Sequence, residues 1–514
     1  MNIKNRFLFL LPWIAVLAVG IYLISTTYLI TKDGPLYIQQ AQQFAINPVG
    51  AVKGNYFGYP FLIFVAQKAG SVFGATESVN SWILSAQSVT LLCMFAAFVP
   101  LYFIGKSFLG SGQSLCALVI LAFLPYPVRF AGDVLRDWPY ILFLSLGFAA
   151  LIAAAKGRKW WLYGVAGLLA GLGYFIKVEC AQIVIYALIW LILCVIFPRY
   201  WMTRKKALLS AFLLLICFAV IVLPYMHIRQ QFIPEKIEEL MDESSSAVNT
   251  TVTFTPLEKT AKLDRQSLLL KAAANNISNG AKEQNSLTGF TAGLTAGLAE
   301  SIIKIFEKTG ENLFYYFFVF SLIGFYTQFI KGFKKINDIE RIFVTSFILL
   351  NVIMLSWLFY NFNYLSRRHC LPLSLLFVFY CPVGLKIVSE KISSLFKFKL
   401  TFWFYTLLVF GILLCLPKLL ESKRKDRVGL LSAAHWLSQN TEMKDLIAVP
   451  DPRINFYAQR KGFLAWEQKD LNGADFAVAQ VGAEVTAPDW GEKKVWFWVD
   501  PKKKDSKLII YRLP

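Results

Sequence analysis

The chain has 514 residues, 56% of them hydrophobic and 16% charged, with a formal net charge of +20. Soluble domains carry about a quarter charged residues, which excludes an ordinary soluble enzyme, and the apolar residues fall in blocks of roughly 18 to 24, enough to cross about 30 Å of hydrocarbon. In a soluble chain the positive excess would point to nucleic acid; here it sits mostly in short loops between apolar blocks, where it sets topology and meets lipid head groups.

Eleven apolar blocks are predicted to be helical spans, near 7–30, 82–105, 114–131, 138–155, 160–176, 180–198, 207–226, 312–330, 342–360, 369–388 and 400–417. The first is too long for a signal-peptide core, and no small-residue cleavage site precedes Thr31, so it reads as an uncleaved span. With the N-terminus placed in the cytoplasm, the inner loops hold the basic residues. Lys156, Arg158 and Lys159 are in one, Arg204, Lys205 and Lys206 in another, and Lys331, Lys334, Lys335 and Arg341 in a third. The acids on that side are Asp338, Glu340 and Glu390. This asymmetry follows the positive-inside rule, because basic flanks resist translocation.

Three larger segments then fall outside. Residues 31–81 contain an amphipathic stretch with Leu36, Tyr37, Ala41 and Phe44 on one side, then the aromatic run Tyr56 to Phe64, too short to span and read as interfacial or re-entrant. Residues 227–311 form a polar loop with helical patches and no internal span. Residues 418–514 are a soluble tail: Val428 to Gln439 reads as an amphipathic helix. Leu446 to Val449, Phe476 to Ala479, Val495 to Val499 and Leu508 to Tyr511 read as strands, giving a small outer α/β domain. The cysteines add little. Six of the eight lie inside apolar blocks, and no CxxC or metal-ligand spacing occurs.

Ionisable residues gather at outer span ends: Asp33; Asp133, Arg136 and Asp137 in one short loop; Lys177 and Glu179 in another; and Arg367, Arg368 and His369. Charges this close to hydrocarbon cost a few kcal/mol each and mark pathways or sites by default, although long side chains also snorkel at wet helix ends. Four groups on one face suit an outward-facing enzyme whose substrate is a lipid carrying phosphate. Carboxylates would do base or metal chemistry, and Arg or Lys would hold the phosphate.

These residues also resemble a family, the C-type integral membrane glycosyltransferases, in their protein mannosyltransferase and aminoarabinose-lipid A transferase branch. The run Asp33-Gly34-Pro35-Leu36-Tyr37 resembles its first acidic motif, and Phe57-Gly58-Tyr59-Pro60 its aromatic Gly-Tyr-Pro stretch. Arg136-Asp137-Trp138-Pro139-Tyr140 stands where the second acidic motif belongs, Gly171 to Glu179 resembles its Gly-Leu…Arg-Pro-Glu element, and Ser366 to Pro372 its late Arg-Tyr…Pro element. Lys177 stands for the usual Arg, His369 for the usual Tyr, and Asp33 is a single acid.

The resemblance implies a glycosyltransferase in a cell inner membrane, with its tail domain in the periplasm. It would pass a sugar, with inversion, from a polyprenyl-phosphate donor to a lipid, protein or glycan acceptor. It makes Asp33 the base or acceptor orienter, with Asp137 as second acid and Asp133 as the competing choice. Asp33 and Asp137 would be joint ligands of a divalent cation, Mg or Mn, if one is used. Lys177, Glu179, Arg136, Arg367, Arg368 and His369, with Tyr37 and Tyr59, would bind substrate. Other readings of the same charges are a lipid-linked-saccharide transporter or flippase, an oligosaccharide ligase or polymerase, and a non-catalytic scaffold.

Overall fold

The computed structural model describes residues 3–54, 56–198, 202–230, 287–332, 337–465, 471, 473–481, 493–500 and 507–513. The chain divides into two compact units. The first holds Met1–Ser25, Tyr37–Glu239 and Gly293–Glu421; the second holds Thr26–Leu36, Ser422–Pro514 and the stretch Leu240–Ala292, most of which lies outside the described residues.

The first unit is helical, as its apolar blocks dictate. Its helices are α1 (Ile3–Ser25), α2 (Gly34–Ile46), α3 (Pro48–Lys53), α4 (Gly58–Val72), α5 (Val79–Leu109), α6 (Ser111–Phe123) and α7 (Pro125–Ala131). They continue with α8 (Asp137–Gly157), α9 (Leu162–Tyr174), α10 (Gln182–Ile196), α11 (Arg204–Arg229), α12 (Leu287–Asn312), α13 (Tyr316–Phe325), α14 (Asp338–Phe362), α15 (Leu371–Val378), α16 (Cys381–Phe396) and α17 (Leu400–Leu420). This is a polytopic α-helical membrane protein. Among the described residues, six helices are long and apolar enough to cross a membrane, or up to nine if each bent pair counts as one span.

The bends have local causes. The block expected at 114–131 breaks at Leu124, which precedes Pro125 and takes an extended backbone, and α6 and α7 meet at 72°; a proline clashes with a helical residue before it. Residues 297–312 and 316–331 meet at 115°, where Phe314 and Tyr315 both adopt positive φ. The segment 227–311, expected as a polar loop with helical patches, ends in one continuous helix, Leu287–Asn312. Residues 231–286 of that loop lie outside the described residues. The stretch read as interfacial or re-entrant, from Tyr56, becomes the start of α4, which packs on α5.

The second unit is the α/β domain expected from the tail. Its sheet has the order β2-β1-β3-β5-β4, from β1 (Leu446–Val449), β2 (Lys461–Leu464), β3 (Phe476–Val481), β4 (Lys493–Val499) and β5 (Lys507–Arg512). β1 runs parallel to β2 and β3, while β5 is antiparallel to β3 and β4. Helices α18 (Val428–Asn440) and α19 (Pro452–Ala458) complete it, and the expected tail pattern lacked only α19 and β2. Leu430, Ala433 and Leu437 of α18 pack with Ile447, Val478 and Ile510 on one face of the sheet.

In the first unit, Gly324 on α13 and Gly384 on α16 let two backbones touch: a Cβ at Gly384 would fall on the Phe320 carbonyl, and one at Gly324 on that of Tyr380. Helices in lipid associate through such small residues, since no hydrophobic force drives them together. Gly384→Val should therefore destabilise the bundle by about 1–3 kcal/mol, read as a lowered thermal midpoint of the detergent-solubilised protein. An unchanged midpoint would show that the contact does not hold the helices.

Candidate functional site

The site in the first unit starts at the N-terminus of α8. Asp137 is the first residue of that helix, where backbone N–H groups and the helix dipole favour a carboxylate. Its side chain is 3% exposed, and its Oδ2 accepts a 2.7 Å hydrogen bond from Nε of Arg368, in the turn before α15. Lys177 and Arg136 are its other charged neighbours. Lys177 is buried, with Nζ 3.3 Å from Glu179 Oε1 and 4.8 Å from the centre of the Tyr140 ring, one turn along α8. Three cations and two carboxylates from distant stretches of sequence thus meet at one end of the helices.

Arg136 precedes α8 and lies over the ring of Tyr56 at 4.5 Å and that of Tyr37 at 6.0 Å, while Nη1 donates to the carbonyl of Ile176 at 3.4 Å. Burial by itself would lower its pKa, but the oxygens of Tyr37, Glu179, Tyr56 and Asp137 outweigh it and raise it. It stays charged. Tyr56, whose φ is +52°, has its phenol pushed up to about 12 by burial, with Arg136 pulling the other way.

The element Gly173–Lys177 and the aromatic stretch at 57–59 are joined through Gly58. Its N–H donates to the Phe175 carbonyl at 2.9 Å, and a Cβ there would come within 2.8 Å of the Phe175 backbone. Phe57 packs against Phe175 with the rings tilted by 36° and their centres 4.8 Å apart. The glycine of this motif is needed for close backbone approach.

The other expected site residues have different surroundings. Asp133 is buried, with its carboxylate accepting from the Val134 N–H at 3.2 Å, and so supports the turn that leads to Arg136. Arg367 lies 4.0 Å over the Tyr126 ring and 3.6 Å from Glu311 Oε2. His369 closes its own turn: its N–H donates to the Ser366 carbonyl, and its Nδ1 accepts from the Ser366 N–H. Tyr37 is edge-on to Tyr59, ring centres 5.3 Å apart. Tyr59, expected to bind substrate, is fully buried with its hydroxyl against Thr90 Oγ1 at 2.9 Å and the Ala86 carbonyl at 3.1 Å. Asp33 lies in the second unit, directly before α2, in a turn closed by the Gly34 N–H on the Thr31 carbonyl at 3.0 Å.

Several supporting residues were not singled out from the sequence. Gln87 donates to the Gly132 carbonyl and Thr90 to that of Leu135, so α5 fixes the turn that ends at Arg136. Two polar residues three apart in an apolar block were a usable signal. Gln182, hydrogen-bonded to Tyr140 and Tyr186, braces the ring beneath Lys177. Asn312, at the end of α12, donates to the Arg367 carbonyl and to Ser374.

The neighbourhood of Asp137 does not suit a divalent cation. Its carboxylate is already engaged by Arg368, and Lys177 and Arg136 add two more positive charges that a metal would have to overcome. Among the described residues, no group of three or more His, Cys, Asp or Glu comes together.

Residues 71–223 match the sequence model of a family described as dolichyl-phosphate-mannose-protein mannosyltransferase. Among solved structures, ArnT from Cupriavidus metallidurans bound to undecaprenyl phosphate is similar at a TM-score of 0.56 and 11% identity, over 99% of this chain and 98% of that one. The Archaeoglobus fulgidus oligosaccharyltransferase in complex with Zn and sulfate is similar at 0.56 and 12% identity, over 97% of this chain and 72% of that one. AglB from Archaeoglobus fulgidus, in complex with an inhibitory peptide and a dolichol-phosphate, is similar at 0.52 and 12% identity, over 93% and 70%. No curated protein sequence matches. At these identities the structural likeness is one of fold, and with the family match it bears out the resemblance to C-type glycosyltransferases.

The Tyr56 phenol gives a pH signature. An unfolded tyrosine ionises near 10, so a folded value of about 12 leaves stability unaffected below pH 10 and erodes it as pH rises from 10 to 12. Alkaline unfolding of wild type and Tyr56→Phe should show that loss in wild type and a smaller one in the variant. Equal slopes above pH 10 would refute the raised phenol of Tyr56.

Proposed function

We propose that this protein is an integral membrane glycosyltransferase that moves a sugar from a polyprenyl monophosphate to an acceptor at the outer face of its membrane. The observation that carries the reading is buried Asp137 paired with the half-buried Arg368, with Lys177 beside it. It is a preset cationic lining for an oxyanion, and it sits on a fold shared with two enzymes whose solved complexes hold a lipid phosphate. Fixed cations are worth most where charge develops in a water-poor site.

In the proposed reaction the acceptor's hydroxyl or amine attacks the anomeric carbon from the side opposite the phosphate. Its proton passes to the Asp33 carboxylate as the new bond to carbon forms. The bond from the anomeric carbon to the phosphate oxygen breaks, and its electron pair stays on the lipid phosphate. Arg368 and Lys177 take up that charge, and Asp137 aims the Arg368 guanidinium. Of the two acids left open by the sequence, Asp137 is the one that engages these cations. The cluster supplies its own positive charge, and no step runs through a metal.

The basic inner loops support an N-terminus in the cytoplasm of a cell with an inner membrane, with the α/β domain in the periplasm. A second reading, transfer of a preassembled glycan, draws on the likeness to AglB. The match of residues 71–223 to a mannosyltransferase family supports the single-sugar reading.

Transfer from synthetic polyprenyl monophosphate and pyrophosphate sugars by the purified chain tests this. Turnover is expected with the monophosphate, to be unaffected by exhaustive chelation, and to fall about 10²- to 10³-fold in Arg368→Gln. Transfer from the pyrophosphate alone, or normal turnover in a well-expressed Arg368→Gln, would reject it.

A further inference from the structure

The segment that carries Asp33 is built into the C-terminal domain. Leu29 is 1% exposed and packs in the same core as Leu430, Ile447 and Ile510. The backbone on either side of it is held as well. Tyr28 donates its N–H to the Lys423 carbonyl, Thr27 forms a bridge with Lys423, and Arg424 Nη1 donates to the Leu29 carbonyl at 2.7 Å.

Ile30 has both of its backbone polar groups taken by side chains from α19. Its N–H donates to the Tyr457 hydroxyl at 3.2 Å, and its carbonyl accepts from Nη1 of Arg453 at 3.1 Å. Arg453 is itself 1% exposed and fixed by Asp451, with Nε on Oδ1 at 2.8 Å and Nη2 on Oδ2 at 2.6 Å. This two-pronged pair leaves Nη1 aimed at Ile30. A bidentate Arg–carboxylate contact sets orientation as well as charge. Ordering a backbone costs conformational entropy, and a loop residue between a membrane helix and α2 would not by itself be held on both its polar groups.

Two residues separate Ile30 from Asp33, and the Thr31–Gly34 hydrogen bond makes that short connection a turn. We propose that Arg453, oriented by Asp451 and assisted by Tyr457, is a positioning residue for Asp33: the C-terminal domain clamps the loop and so fixes where the carboxylate stands. This rests on Asp33 acting in the transfer reaction. The tail is then part of the catalytic apparatus, although it brings none of the reacting groups.

The test uses the full chain. Arg453→Lys keeps the charge beside Asp451 but gives up the fork, and Tyr457→Phe removes only the hydroxyl that takes the Ile30 N–H. Lys444→Ala, an exposed change in the same domain, is the control. Amide exchange by mass spectrometry is followed in peptides covering 26–36 and in β3, together with kcat and KM for the lipid-phosphate donor.

The proposal expects exchange of 26–36 to quicken about tenfold or more, as local opening becomes easier, with β3 unchanged. It also expects kcat to fall about 10- to 100-fold through misplacement at constant KM. Unchanged exchange in both variants overturns the clamp, and faster exchange with unchanged kcat overturns the positioning role. If Arg453→Lys also loses protection in β3, Tyr457→Phe decides by the same two readouts. Asp33→Asn separates the underlying reading: normal turnover there removes Asp33 from catalysis, and with it the positioning role, while the exchange result still reports whether the clamp exists.

Discussion

A carboxylate taken out of water at the end of a membrane helix has to be matched by positive charge, and the first unit is arranged around meeting that demand. Asp137 is buried at the start of α8 and held by Arg368 at 2.7 Å. Removing Arg368 would leave the buried carboxylate uncompensated, so the turn before α15 and the start of α8 have to stay together. Lys177 and Arg136 bring the end of α9 to the same place, the first over the Tyr140 ring and the second over the Tyr56 ring. Rings and carbonyls let the extra cations remain without neutralising them. A surplus of positive charge, fixed before substrate arrives, is what a leaving phosphate requires.

The helical frame was readable because block length is a direct consequence of bilayer thickness. All eleven apolar blocks are helical, and the strands at 446–449 and 508–511 are present. Other features needed the fold. Asp137 and Arg368 are 231 positions apart, and nothing local to either residue names the other. The break at Leu124 had its signal in Pro125, which the block average concealed. Helix α12 was legible only as a helical patch in a polar segment, and its extent shows in the fold, where Lys308 pairs with both Glu307 and Glu311. Tyr59 stands in the aromatic motif, and its hydroxyl bond to Thr90 on α5 was not legible from that motif.

The second unit shows the same limit at larger range. Arg453 and Ile30 are 423 positions apart, and the tail motif Asp451-Pro452-Arg453 gave no hint of which backbone it would hold. What the sequence did offer was an arginine and an aspartate flanking a proline at the start of a short helix. Pro452 starts that helix and Asp451 caps it, accepting from the Arg453 N–H. The same carboxylate thus serves both as a helix cap and as the anchor of the guanidinium.

Equilibrium binding tests recognition of a lipid phosphate by the cation cluster without requiring the sugar or the acceptor to be known. Titration of the purified chain with polyprenyl monophosphate should show saturable binding to wild type, weakened at least about tenfold in Arg368→Gln, the loss of one charge-assisted contact. Equal affinity in the two proteins, at matched thermal stability, would contradict the account.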